Sequence, residues 1–93
     1  MDSQQPKFGE GFLADVRVGQ YHIRLFAYQT EIGLGSNVYS LNDHRWLNAG
    51  PTWAVTFDDA RSNAESLARG YLRTAANLQL PAVEWKPMPL RRE

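Results

Sequence analysis

The sequence predicts an α+β fold. It would be an antiparallel sheet of three to four strands, β-hairpin first, with one long C-terminal amphipathic helix packed on one face. Three observations predict it. Residues 12–28 alternate apolar and polar on either side of a Gly-Gln pair, which is the period of two paired, half-buried strands. Residues 60–78 carry apolar side chains at helical spacing on a single stripe. The chain has 93 residues, 43% of them hydrophobic, enough for one modest core and no more.

The hairpin carries its own register test. With Gly19-Gln20 as a two-residue turn, Val18 faces Tyr21, Val16 faces Ile23, Ala14 faces Leu25 and Phe12 faces Ala27. All eight then share one apolar face. The other face pairs Arg17 with His22, Asp15 with Arg24 and Leu13 with Phe26. A slip of one residue would mix the faces. A glycine in the first turn position suits type II′.

Residues 29–37, with Gly33, Gly35, Ser36 and Asn37, read as a loop, followed by a third strand at about 38–41. Residues 42–51 form a second loop that holds Asp43, His44, Arg45 and Trp46 between turn formers. A fourth strand spans 52–57, with Trp53, Val55 and Phe57 expected to face inward. Asp58 and Asp59 supply an N-cap and a first-turn acid. The helical stripe is Ala60, Ala64, Leu67, Ala68, Tyr71, Leu72, Ala75 and Leu78, ended by Asn77 and Pro81. Residues 82–85 are expected to be a short final strand or a strap that lays Trp85 over the core. The domain is placed at residues 10–86, between a flexible arm at 1–9 and a tail at 87–93.

Composition narrows function by exclusion. Without cysteine there is no disulfide framework, thiolate metal site or thiol nucleophile. No apolar run approaches the roughly 20 residues of a membrane span, and a cytoplasmic protein is expected. Ten basic residues balance ten acidic ones, which argues against broad phosphate binding. His22 and His44 lack the converging ligands that a metal needs. Gly33-Leu34-Gly35-Ser36 lacks the lysine and helix of a phosphate-binding loop. No positioned base or nucleophile is recognisable. The expectation is therefore no enzyme, no cofactor and no metal.

Two stretches remain as candidate partner-binding surfaces. One is the outer hairpin face, with Arg17, Arg24, Phe26 and Tyr28. The other is the loop holding Asp43, His44, Arg45 and Trp46. Arginine and aromatic residues are enriched at binding hot spots, and loops on a rigid scaffold often carry function.

Trp53-Ala-Val-Thr-Phe57, then Asp58 and a helix bearing Ala60, Ala64, Ala68, Tyr71, Ala75 and Ala76, resembles the third strand and helix of AP2-type DNA-binding domains. The arm-binding domains of phage integrases share that three-strands-then-helix plan. The resemblance implies a sheet laid into the DNA major groove, with the helix as backing.

Two functional expectations follow. The first is a small non-enzymatic protein-binding module: an accessory, adaptor or inhibitor protein of bacterial, phage or mobile-element origin, with an anti-CRISPR-like inhibitor as one concrete form. The alternative is nucleic-acid binding through the outer face of the sheet.

Overall fold

The computed structural model describes residues 11–88. The element order is β1 (Gly11–Val18), β2 (Tyr21–Thr30), β3 (Gly33–Ser40), β4 (Arg45–Trp46), β5 (Thr52–Ala54), α1 (Phe57–Ala76) and β6 (Lys86–Pro87). All strand pairings are antiparallel. The sheet is an α+β layer under a single 20-residue helix, wider than the three to four strands expected.

The hairpin register is the one read from the alternation: Val18 pairs Tyr21, Val16 pairs Ile23, Ala14 pairs Leu25 and Phe12 pairs Ala27. Gly19 takes φ +61 while Gln20 keeps a negative φ, the type II′ pattern. The buried face holds Ala14, Val16, Ile23, Leu25, Ala27 and Val38, with Ser36 and Ser40.

The residues expected to loop at 29–37 instead lengthen the sheet. β2 runs to Thr30, β3 starts at Gly33, and only Glu31 and Ile32 turn between them. This turn lacks an Asn-Gly or Gly-X signature. It is held by the Thr30 hydroxyl, which accepts from the Ile32 and Gly33 N–H groups and donates to the Gly33 carbonyl. The two glycines of β3 mimicked loop composition. At Gly35 the reason for glycine is space: a Cβ there would lie 2.9 Å from the Pro51 Cβ and 3.4 Å from the Trp53 ring.

β4 and β5 are consecutive short patches on the same outer edge of β3, at Tyr39–Ser40 and Leu34–Ser36. Between them Leu47 N–H donates to the Val38 carbonyl at 2.7 Å. The Asn48 side chain supplies the rest of the ladder. Its Oδ1 accepts from Val38 N–H, and its Nδ2 donates to the carbonyls of Ser36 and Gly50. On the other edge β6 pairs with Phe12 and Leu13 of β1, and Met88 N–H donates to the Gly11 carbonyl. Pro87 has no N–H to offer a further strand. Pairing thus continues past the expected domain end at 86. The arm at 1–9 and residues 89–93 lie outside the described residues.

α1 crosses β2 and β3, burying Ala60, Ala64, Ala68 and Leu72. The three buried alanines let the helix backbone approach the sheet closely, whereas Ala75, expected on the same stripe, is exposed. Ile23, Leu25 and Leu72 are fully buried, and each contributes about 1.5–3 kcal/mol. The N-cap is Thr56, whose hydroxyl accepts from Asp59 N–H at 3.0 Å. Asp58, the expected cap, sits inside the first turn and pairs with Arg61. Asn77 ends the helix as read, in the left-handed conformation that asparagine tolerates. The strap after Pro81 brings Trp85 against the core, where its indole N–H donates to Glu65 at 2.8 Å. Glu65, on the surface of α1, is thus engaged by the strap.

Among the described residues, no helix is long and apolar enough to cross a membrane.

Candidate functional site

With the helix on one face, the other face of the sheet has no covering layer among the described residues. Its side chains follow from register. Leu13, Asp15 and Arg17 alternate outward on β1, and His22, Arg24, Phe26 and Tyr28 do so on β2. Asn37 and Tyr39 continue the rows on β3, Trp46 on β4 and Trp53 on β5. One row across the sheet therefore reads Trp46, Tyr39, Arg24, Asp15, and the next reads Asn37, Phe26, Leu13, Lys86.

The placement of Trp53 reverses the expectation that Trp53 and Val55 face inward. Trp53 pairs Gly35 on the outer face and is 48% exposed, while Val55 is 87% exposed. Strand β5 ends after three residues, so the alternation breaks before Val55. Phe57 does turn inward, as the first residue of the helix, with its ring edge-on to Phe12 at 5.3 Å. Ile32, at the tip of the second turn, is also exposed.

Towards β4 and β5 the outer face is aromatic. The Trp46 ring lies 4.9 Å from Tyr39, edge-on, and 5.7 Å from Phe26. It remains 51% exposed, so it is neither buried in the core nor free of the surface. Beside it opens a cleft of about 360 Å³, floored by Phe26, Tyr28 and Asn37 and walled by Trp46, Pro51 and Met88. Tyr28 donates its hydroxyl proton to Asn37 Oδ1, and burial raises the Tyr28 pKa. Asn48 lines the same cleft, but its Oδ1 accepts from Val38 N–H and its Nδ2 donates to the carbonyls of Ser36 and Gly50. It therefore shapes the wall rather than offering polar contacts.

Towards β1 and β6 the face is charged. Asp15 accepts from Arg24 Nε at 2.8 Å and lies 3.0 Å from His22 Nε2. Burial pushes the Asp15 carboxyl upward, but the hydrogen bonds and charges of Arg24 and His22 outweigh it and hold its pKa below the ordinary value. Arg17 and Lys86 are exposed on the same face.

The structure thus divides the sequence-derived candidates. Arg17, Arg24, Phe26, Tyr28 and Trp46 come together on the open face. Asp43, His44 and Arg45 do not join them. In β4, Arg45 pairs Ser40 and so projects to the helix side, while Trp46 projects outward. Arg45 borders a second groove there, with Leu47, Leu67, Gly70 and Tyr71. Asp43 accepts from the Tyr71 hydroxyl at 2.7 Å, tying the turn to the helix. Burial raises the Tyr71 pKa, the bond to Ser40 lowers it, and Asp43 raises it further. His44 occupies an exposed turn position at φ +56.

Sequence reading missed Tyr39, Pro51, Trp53 and Met88 as parts of this face. Tyr39 arrives with β3, while Pro51, Trp53 and Met88 are brought there by the pairing of the short edge strands β5 and β6. Among the described residues no three His, Asp or Glu side chains converge as metal ligands. Comparison of the chain with protein-family models, with curated proteins and with solved structures finds no match.

Proposed function

We propose that the chain is a small non-enzymatic binding module, an accessory, adaptor or inhibitor protein, that occupies a partner protein through the helix-free face of its sheet. One observation carries this reading: Trp46 stands half-exposed over an apolar cleft, buttressed by Tyr39 and Phe26. A large aromatic held rigid at the rim of a cleft is the usual form of an interface anchor. The cleft opens over Phe26, Tyr28 and Asn37 of the central strands β2 and β3, so a partner held there meets the face of the sheet.

The test is affinity capture from the native host, with and without nuclease. Trp46→Ala should weaken nuclease-resistant capture by about tenfold or more. Arg45→Ala, on the opposite side, should leave it unchanged. Capture that survives Trp46→Ala in a folded variant would remove this face from the function.

A second reading, binding of nucleic acid, is favoured by the charges. Among the described strand residues, the open face carries Arg17, Arg24 and Lys86 against Asp15 alone, although the whole chain is neutral. Phosphate-driven binding would fall steeply as salt rises. Absence of any mobility shift with DNA or RNA at low salt would end it.

A further inference from the structure

The open face carries two chemistries side by side. The cleft between Trp46 and Pro51 is apolar and floored by Phe26 and Tyr28. Next to it, Arg24 lies one row from Phe26 on the same strand, and Lys86 lies across β1 in the Phe26 row. At standard strand spacing Lys86 is about 10 Å from Phe26. Arg17 extends the cationic side by one more row. The only carboxylate among these strand residues, Asp15, is already engaged by Arg24 and His22. An anion arriving here therefore meets no unneutralised acid on the strands.

Resting on the protein-binding reading above, we propose that the occupant is an extended acidic segment of the partner, anchored by one large apolar side chain. The anchor fills the cleft beside Trp46. The carboxylates of neighbouring residues fall on Lys86 and Arg17, with Arg24, whose Nε is already held by Asp15, in the row between them. Charge complementarity sets this choice over a basic or neutral segment. The size of the cleft sets a single anchor over a broad apolar helix face, which would need a long groove. An extended segment also presents residues on one side at the spacing of every second position, close to the row spacing of the sheet beneath it.

The test is fluorescence anisotropy with labelled peptides of about twelve residues against the full chain. The probe is a Glu/Asp/Ser peptide with one central Phe. Controls exchange the Phe for Ser, or the acids for Lys, and an oligothymidylate of similar length stands for nucleic acid. The acidic Phe peptide should bind, and either exchange should weaken it about tenfold or more. Trp46→Ala and Lys86→Gln should each weaken it, the second mainly at low salt. Circular dichroism checks folding. If Trp46→Ala does not fold, Lys86→Gln and Arg17→Gln, both at exposed positions outside the core, decide the charge requirement.

Tighter binding of the oligothymidylate than of the acidic peptide would overturn the proposal and the protein reading together. Failure of every peptide, alongside nuclease-resistant capture that depends on Trp46, would overturn the acidic segment while leaving the protein reading in place. Equal binding of the Lys-exchanged peptide would likewise overturn it.

Discussion

Two glycine-to-alanine substitutions should move stability in opposite directions, and together they test the placement of the cleft wall. Gly70 is well inside α1, and a Cβ built there meets nothing within 4 Å. The helical cost of glycine relative to alanine is about 0.5–1 kcal/mol, so Gly70→Ala should stabilise by that amount. In a domain of this size this is a Tm rise of about 2–8 °C. Gly35 sits in β3 beneath Pro51 and Trp53. There a Cβ would lie 2.9 Å from the Pro51 Cβ and 3.4 and 3.6 Å from Trp53 ring atoms. Overpacking of this kind costs about 1–3 kcal/mol, and the intrinsic preference for alanine returns about 0.5–1 kcal/mol of it. The net expectation for Gly35→Ala is a loss of up to about 2.5 kcal/mol and a changed tryptophan emission, because Trp53 is displaced. Thermal melts followed by circular dichroism, with emission spectra at low temperature, measure both. A stabilised Gly35→Ala with unchanged emission would show that Pro51 and Trp53 do not lie over β3. The cleft would then lack its second wall, and the reasoning about its occupant would fail. A destabilised Gly70→Ala would show that the helix surface there is not open.

Thr56→Ala should cost about 1 kcal/mol through loss of the cap, and Asp58→Ala clearly less, read from paired denaturant midpoints. Asn48→Ala removes two hydrogen bonds to the β3 edge and one to the Gly50 carbonyl. It should cost about 1–3 kcal/mol and raise amide exchange at Val38, with the loss concentrated around residues 47–51. Asp15 has a depressed pKa when folded, so its pairing stabilises the protein above the ordinary Asp value of about 3.9 and is lost as pH falls through the lower folded value. The difference in Tm between the wild type and Asp15→Asn should therefore shrink as pH falls through that acidic window. A difference independent of pH would remove the ion pairs as its cause.

The hairpin, its register and the helix were legible because each rests on a repeated pattern. The alternating residues either side of Gly19-Gln20 admit one register that keeps the faces separate, and the stripe from Ala60 to Leu78 has one helical reading. The cap was misplaced by two residues because Thr56, Asp58 and Asp59 are all competent caps. Backbone conformation, rather than residue type, chose Thr56. Short edge strands carry no such redundancy. Two residues in β4 and three in β5 show no period, and their pairing depends on the Asn48 side chain, which local pattern does not reveal.

By itself the sequence determined the two-layer α+β plan, the buried face of the hairpin and the outward placement of Arg17, Arg24, Phe26 and Tyr28. These follow from local periodicity, and burying the apolar side leaves one register. Only the tertiary structure decided which other residues share that open face. Trp46, Pro51 and Trp53 come after β3 and Met88 only after the helix, and they reach it through edge pairing with β3 and β1. The separation of Trp46 from Arg45 came the same way, since adjacent residues of a strand point to opposite faces once the strand is paired. A binding face assembled across a sheet is a property of strand order, and strand order is set by long-range pairing that local patterns do not encode.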